Sequence, residues 1–196
     1  MNNMELHIID AAIACIEKRG LQEATVRAIA EEAGVNVAAI NYYFRSKEQL
    51  IERVMEQTLN NAFDWSHFGP GEAVAADQRL ADILDHLTQG AQQYPQIARM
   101  HFYETLTTGQ CPPQLGERFG AFLQSMFDDL RGRGVLLGDI DLRRTILQAM
   151  STAIFGMVLL APLFQPFQRE QYEDPATRRQ ALLALARRAL GEDSQT

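Results

Sequence analysis

The segment AGVNVAAINYYFRSKEQL, residues 33–50, brings together planar polar and basic side chains that can bind another molecule. Asn41 precedes the adjacent Tyr42 and Tyr43, and Arg45 and Lys47 follow shortly after. An asparagine amide can form two hydrogen bonds with the edge of an adenine, while hydroxyl and cationic side chains can hold phosphate groups. The same residues could instead pack a small helical domain, and the elements around them decide between these alternatives.

The surrounding pattern predicts helices almost throughout, because apolar residues recur at three- and four-residue steps without the strict alternation typical of strands. Thr25, Asn36 and Ser46 are each placed to cap a helix, and Gly34 permits a sharp turn. The predicted N-terminal helices cover about residues 4–19, 26–33, 37–43 and 47–63. Two short helices separated by a glycine turn outline a helix-turn-helix.

A larger helical bundle is predicted beyond a junction at Gly69-Pro70-Gly71. Its helices cover about residues 78–94, 95 onward, 113 to 131–133, 141–161 and 175–190. We therefore predict an all-α fold with a three-helix N-terminal helix-turn-helix domain over residues 1–50. The helix at about 47–63 is the predicted connector to a second domain over residues 64–196.

The composition is that of a globular protein, with 196 residues, 46% hydrophobic residues and a net charge of −7. Cys15 and Cys111 form neither a disulfide framework nor a metal motif, which favours a reducing cytoplasm. We expect no signal peptide, because the first residues lack a basic stretch followed by a long apolar one. The apolar segment 146–164 approaches the length of a membrane span, but its polar residues and Pro162 favour a buried helix. We expect a cytoplasmic protein with no membrane partner.

The acidity of the chain disfavours nonspecific binding to polyanions but leaves room for a local DNA-binding surface. Residues 1–50 contain five cations and seven acids. Arg27, Arg45 and Lys47 cluster near the expected surface, and we expect most of the acids to point away from it. Backbone amides at helix N-termini add attraction for phosphates without net basic charge.

The stretch TVRAIAEEAGVNVAAINYYFRSKEQLIERV, residues 25–54, resembles the N-terminal domain of TetR-type transcriptional regulators. Their pattern reads roughly T-x-x-x-I-A-x-x-A-G-V-S-x-G-x-L-Y-x-Y/H-F-x-S-K-E-x-L. The matching residues are Thr25, Ile29, Ala30, Ala33, Gly34, Val35, Tyr43, Phe44, Ser46, Lys47, Glu48 and Leu50. The chain departs from the pattern with Asn36 for serine, Ala38 for glycine, Ile40 for leucine and Asn41 for tyrosine.

The resemblance implies that the third helix enters the major groove of DNA, with phosphates held by side chains around it. Base reading would then fall to Asn41 and to small apolar side chains that touch a thymine methyl group. The expected DNA-binding set is Thr25, Arg27, Asn36, Val37, Ala38, Ala39, Asn41, Tyr42, Tyr43 and Lys47. Several alternatives stay open: Asn36 is first of all a cap, Tyr42 could go either way, Tyr43 and Phe44 could be core aromatics, and Arg27 could be simply solvated.

The C-terminal part contains no catalytic or metal-binding motif. It has no His-x-x-x-His pair, no Gly-rich phosphate loop and no nucleophile elbow. His101 and Glu104 could share a helix face, but a surface pair explains them better than a metal site. We therefore expect no enzyme activity, no cofactor and no metal.

Bulky, soft apolar residues in this part form either a solid core or an apolar ligand cavity with a few polar groups. The second reading depends mainly on the family resemblance. The expected ligand contacts are Met100, His101, Tyr103, Thr107, Phe122, Met126 and Met150.

The last two helices carry wide apolar faces with small alanines, which favours close packing against a second copy. Family members dimerise in a similar way, which implies a homodimer and a pseudo-palindromic operator. The expected dimer contacts are Met150, Ala153, Ile154, Met157, Val158, Leu182, Leu185, Ala186 and Ala189.

These patterns together predict a homodimeric transcriptional regulator that binds double-stranded DNA, most simply a repressor released by a small ligand. One rival is a helical enzyme or carrier for an apolar metabolite, in which the N-terminal domain only packs. Another is a DNA-binding protein without an inducer, which a solid C-terminal core would favour.

Overall fold

The computed structural model describes residues 2–69, 74–160, 163 and 174–191, and within these ranges the chain is helical without a strand. The helices are α1 (Asn3–Arg19), α2 (Val26–Ala33), α3 (Val37–Phe44), α4 (Lys47–Ala62), α5 (Ala76–Gln93), α6 (Pro95–Thr108), α7 (Pro113–Gly132), α8 (Asp139–Ser151) and α9 (Pro175–Leu190). A short 3-10 turn, Trp65–Phe68, follows α4. The predicted all-α fold class is confirmed. Pro70 and Gly71 of the predicted junction lie outside the described residues.

The helix expected over residues 141–161 differs from the prediction in its second half. It is α-helical only to Ser151 and then continues as a π-helical stretch, Thr152–Leu159. At its end the Leu160 N–H donates to the Phe155 carbonyl, five residues back, at 2.7 Å. The periodicity of apolar residues cannot distinguish an α-helix from a π-helix here, because both helix types bury a similar stripe of apolar side chains. No helix in the described ranges is long and apolar enough to cross a membrane.

Packing groups the chain into two compact units. The N-terminal unit comprises Met1–Ala62 and Tyr94–Leu115, and the bundle unit comprises Phe63–Gln93 and Gly116–Thr196. The predicted boundary at residue 64 stays a prediction, and the packing adds that α6 associates with the N-terminal helices.

The N-terminal unit is built around α1, which packs against α2, α4 and α6. The apolar side of α1 is fully enclosed, with Ile8, Ile9 and Ile16 at 0% exposure. Ile29 of α2 and Leu50 of α4 fill the same core. Each side chain of this size contributes about 1.5–3 kcal/mol when it is buried, so this core holds the short helices in place.

The bundle unit joins α5 to α9 through both apolar packing and ion pairs. Leu80 and Leu84 of α5 lie in one core cluster with Leu182 and Ala186 of α9. Arg178 of α9 is buried, and it donates to the Asp85 carboxylate at 2.7 Å and to Gln92 at 3.2 Å. Because these groups pair across the two helices, they fix the register of α9 on α5.

Side-chain caps define the starts of the short helices, as predicted. The Thr25 hydroxyl accepts the Ala28 N–H at 3.1 Å, the Asn36 side-chain carbonyl accepts the Ala39 N–H at 2.8 Å, and the Ser46 hydroxyl accepts the Gln49 N–H at 3.2 Å. Gly34 ends α2 at φ 64°, a left-handed conformation that lets the chain turn sharply into α3.

The Asn36 cap gives a stability prediction. Asn36→Ala should lower the free energy of unfolding by about 1 kcal/mol, because the Ala39 N–H loses its side-chain acceptor and keeps only the longer contact with the Asn36 backbone carbonyl. Asn36→Ser should keep most of it, because a serine hydroxyl can accept the same N–H. Urea unfolding monitored by circular dichroism measures both variants. Equal stability of the alanine and serine variants would show that the cap contributes nothing.

Candidate DNA-binding surface

Helix α3 has one buried side and one exposed side. Ile40 and Phe44, one turn apart, are 1% and 3% exposed and lie in the core of the N-terminal unit. On the other side Asn41 is exposed, Tyr42 is 80% exposed and Val37 is 40% exposed. An apolar anchor on one side thus leaves an amide, a phenol and a methyl-bearing side chain free to meet a groove of DNA.

The ten predicted DNA-binding residues divide by exposure. The exposed ones are Thr25, Arg27, Asn36, Val37, Ala38, Asn41 and Tyr42, and the half-buried ones are Ala39, Tyr43 and Lys47. Phe44 is a core residue, whereas the Tyr43 ring packs partly on the core and meets the Tyr42 ring edge-on at 5.2 Å. The Tyr43 ring therefore lies between the core and the exposed Tyr42 ring and supports it.

Lys47 has a contact that the sequence did not suggest. Its Nζ donates to the carbonyl of Leu21 at 3.1 Å, which joins the start of α4 to the loop after α1. The helix N-terminus and the ammonium group therefore lie in a defined position beside α3. Local sequence patterns could not predict this hydrogen bond, because Lys47 and Leu21 are 26 positions apart in the chain.

Several acids of the N-terminal unit are engaged inside it rather than presented freely. Glu5 pairs with Arg53 at 3.4 Å, Glu32 pairs with Lys18 at 2.5 Å, and Glu17 binds backbone amides of α6. Three of the seven acids in residues 1–50 therefore have partners within the unit, and one of these partners, Arg53, adds a cation from beyond residue 50 to the local charge balance. Glu48, by contrast, has only local partners at the start of α4. Hydrogen bonds from its own backbone N–H and from the Ser46 side chain hold the pKa of this exposed carboxyl below its usual value.

Helix α6 is attached to the N-terminal helices at two points. The Glu17 carboxylate of α1 accepts the N–H groups of Gln96 and Ile97, at 3.1 and 2.9 Å, in the first turn of α6. Further along, the Thr58 hydroxyl of α4 lies 2.9 Å from Nε2 of His101. Sequence reasoning missed the Glu17 contact, although Pro95 begins α6 without a local side-chain cap, which leaves amides for a distant acceptor.

His101 is half-buried where α6 packs against α4, and this burial lowers the pKa of its imidazole to about 4. The imidazole is therefore neutral at physiological pH, and it holds α6 to α4 as a hydrogen-bonding group rather than as a charge. No group of three or more metal-ligating side chains occurs in the described part of the chain.

The predicted ligand contacts fall in both units. Phe122, Met126 and Met150 are buried in the core of the bundle unit. The other four lie on α6: Met100 packs against the N-terminal core, His101 binds Thr58, Tyr103 is 68% exposed, and the exposed Thr107 hydroxyl donates to the Tyr103 carbonyl at 2.8 Å. Their role as ligand contacts stays a prediction.

The predicted dimer contacts are mostly enclosed within one chain. Five are buried in a single copy: Met150, Ala153, Val158, Leu182 and Ala186. Ile154, Leu185 and Ala189 pack on the same core and keep some exposure, and the Met157 side chain lies outside what the structure describes. At the five buried positions the apolar periodicity coincides with packing inside one chain, and the role of all nine residues as dimer contacts stays a prediction.

Comparisons with known proteins agree with this geometry. Residues 8–54 match the family model of the bacterial regulatory proteins of the tetR family. Over 57 residues the chain is 44% identical to the HTH-type transcriptional regulator BetI 2 of Chromohalobacter salexigens. This match covers 29% of the chain and 28% of that regulator. The chain spans less than half the length of this regulator and of the BetI regulators of other bacteria that it matches.

Two solved structures share the fold over nearly the whole chain. One is a Mesorhizobium loti protein assigned to the TetR family of transcriptional regulators, with a TM-score of 0.71, 19% identity and 96% of each chain covered. The other is the transcriptional regulator FadR from Bacillus subtilis in complex with stearoyl-CoA, with a TM-score of 0.57, 19% identity and 95% of each chain covered. At these identities the likeness concerns the fold alone.

The lowered pKa of the half-buried His101 gives a pH prediction. An unfolded histidine binds a proton below pH 6.5, whereas His101 in the folded chain does so only near pH 4. The unfolded state thus holds more protons in this window, and the free energy of unfolding should fall as the pH decreases from about 6.5 to about 4, by up to about 3 kcal/mol. Urea unfolding at several pH values measures this slope.

Two variants isolate the contribution of His101. His101→Gln should show a flatter pH dependence than the native chain, because the titrating group is gone. Thr58→Val should keep the native slope, because burial rather than the hydrogen bond lowers the pKa. An unchanged slope in His101→Gln would contradict the prediction.

Proposed function

We propose that this chain, whose residues 8–54 form a helix-turn-helix domain of the tetR family, is a homodimeric transcriptional regulator of the cytoplasm. It binds a pseudo-palindromic operator and acts as a repressor that a small, apolar ligand releases. The observation that carries the proposal is the two-sided α3, with Ile40 and Phe44 in the core and Asn41 and Tyr42 outside. A helix exposed in this way fits the major groove, which admits one α-helix.

Base reading is assigned to Asn41 and to the start of α3. The Asn41 amide has no role in the core, and its donor and acceptor together match the N6 and N7 groups of adenine. The exposed Val37 and Ala38 offer methyl groups to a thymine. The Asn36 side chain already accepts the Ala39 N–H, which supports a capping role and leaves base reading to its neighbours.

Phosphate binding is assigned to groups that flank α3. Arg27 and Thr25 lie at the start of α2, and Lys47 lies at the start of α4. The backbone amides at these helix starts carry a partial positive charge, which suits a phosphate even in an acidic chain. The Tyr43 hydroxyl is a further donor beside them.

Release by a ligand is explained by a shift between two conformations, and α6 is the element that we propose to transmit it. Glu17 and His101 attach α6 to α1 and α4, so a ligand that moves α6 moves the helices that support α3. Such a ligand must bind the displaced conformation more tightly, since equal affinity for both conformations shifts nothing. The stearoyl-CoA bound to FadR from Bacillus subtilis supports an apolar ligand as the first class to test.

Dimerisation is assigned to the exposed sides of the last helices. On α8, Ile140 is 75% exposed and Leu147, two turns later on the same side, is 43% exposed. On α9, Leu185 and Ala189 keep part of their surface free. Two copies related by twofold symmetry present two α3 helices, which read half-sites about one helical turn apart.

DNA binding tests the proposal through variants of the contact residues. Binding of the full chain to the DNA upstream of its own gene should be specific and should weaken as salt rises. Arg27→Gln should weaken binding to all sequences alike and reduce the slope of log affinity against log salt by about one per contact. Asn41→Ala should instead relax discrimination at one base pair per half-site, by about 1–3 kcal/mol.

The matched control is Arg99→Gln, which removes an exposed cation of α6 outside the helix-turn-helix. It should leave both the affinity and the salt slope unchanged. Tyr43→Phe keeps the ring that packs on the core and removes only the hydroxyl, so it separates the phosphate contact from packing. Native protein that binds the upstream DNA no better than random DNA would overturn the proposed function.

A further inference from the structure

Arg45 has a backbone conformation that is unusual for its residue type. Within the described ranges it is the one non-glycine residue with positive φ, at φ 59° and ψ −37°. The Ser46 N–H donates to the Phe44 carbonyl at 2.6 Å, which closes a three-residue γ-turn around Arg45. The turn connects α3 to α4 within two residues. Glycine adopts this conformation without a steric clash at Cβ, so an arginine here is held under strain.

The Arg45 side chain is not engaged by the described part of the fold. It is exposed, and its guanidinium has no hydrogen bond, ion pair or ring contact with any residue that the structure describes. Two other cations of the N-terminal unit are engaged, since Lys18 pairs with Glu32 and Arg53 pairs with Glu5. A strained residue whose side chain stabilises nothing within the fold points to a role outside it.

Arg45 also lies between α3 and α4, the two helices to which the proposed function assigns base and phosphate contacts. Its backbone N–H donates to the Asn41 carbonyl at 3.0 Å, so its Cα lies one helical turn beyond Asn41 at the end of α3. Lys47, two residues later, is tied to the Leu21 carbonyl and carries the neighbouring positive charge. The turn thus projects a second, unengaged cation from the junction of the two helices that approach DNA.

We propose that Arg45 is a DNA-phosphate contact of this chain and that its strained turn places the guanidinium at the backbone beside the base read by Asn41. The proposal rests on the proposed function. The turn ends α3 at Phe44, so Arg45 lies at the end of the helix and beside the start of α4. Binding of a DNA phosphate by the guanidinium then offsets the backbone strain at Arg45, which no contact of its side chain within the described fold offsets.

Three substitutions separate charge from strain. Arg45→Gly removes both, and it should raise the melting temperature by about 3 °C while it weakens binding to upstream DNA by about tenfold. Arg45→Ala removes the charge and keeps the strain, so it should weaken binding equally without raising the melting temperature. Arg45→Lys keeps both and should bind within about threefold of the native chain, because lysine also holds phosphate as a point charge. The glycine and alanine variants should each reduce the salt slope by about one.

The matched control is Arg99→Gly, the same replacement inside α6, where glycine should lower the melting temperature and leave DNA binding unchanged. A stabilised Arg45→Gly variant that binds DNA with native affinity and native salt slope would overturn the proposal. So would an Arg45→Gly variant that is no more stable than Arg45→Ala. Failure of the native chain to bind upstream DNA counts against the proposed function instead, and the melting temperatures still test the strain at Arg45.

Discussion

The placement of α3 depends on the burial of Ile40 and Phe44. Eight residues are too few for a helix to be stable alone in water, so α3 exists because these two side chains are held in the N-terminal core. The same two anchors fix which side of the helix is exposed. Asn41 and Tyr42 are therefore presented by packing, and the proposed function implies that a change in that core alters DNA binding without touching a proposed contact residue.

An acidic chain can present such a helix because its charges are distributed unevenly. Glu5, Glu17 and Glu32 are engaged within the N-terminal unit, and helix starts supply positive partial charge where α2 and α4 begin. The partners of Glu17 are the amides in the first turn of α6, so this acid attaches α1 to the helix that we propose to carry the ligand signal.

Local patterns were sufficient for the side-chain caps of three N-terminal helices, but not for the change from α-helix to π-helix after Ser151. Thr25, Asn36 and Ser46 cap α2, α3 and the start of α4 as their residue types and spacing predict. Contacts between distant residues were not predictable, because the bond from Glu17 to Ile97 spans 80 positions and requires the packed fold. Apolar periodicity marks the faces of Leu182 and Ala186 for burial without saying whether their own chain or a second copy covers them. Both are buried within one chain, and their role as dimer contacts stays a prediction.

Selection from a pool of random DNA duplexes by the full-length native protein tests the central claim most directly. Two α3 helices presented by a symmetric dimer predict enrichment of an inverted repeat whose half-sites are centred about one helical turn apart. The same selection with Asn41→Ala should enrich the repeat with one base pair relaxed in each half-site. A pool that stays random after selection with the native protein would contradict the account, because an exposed α3 would then read no sequence.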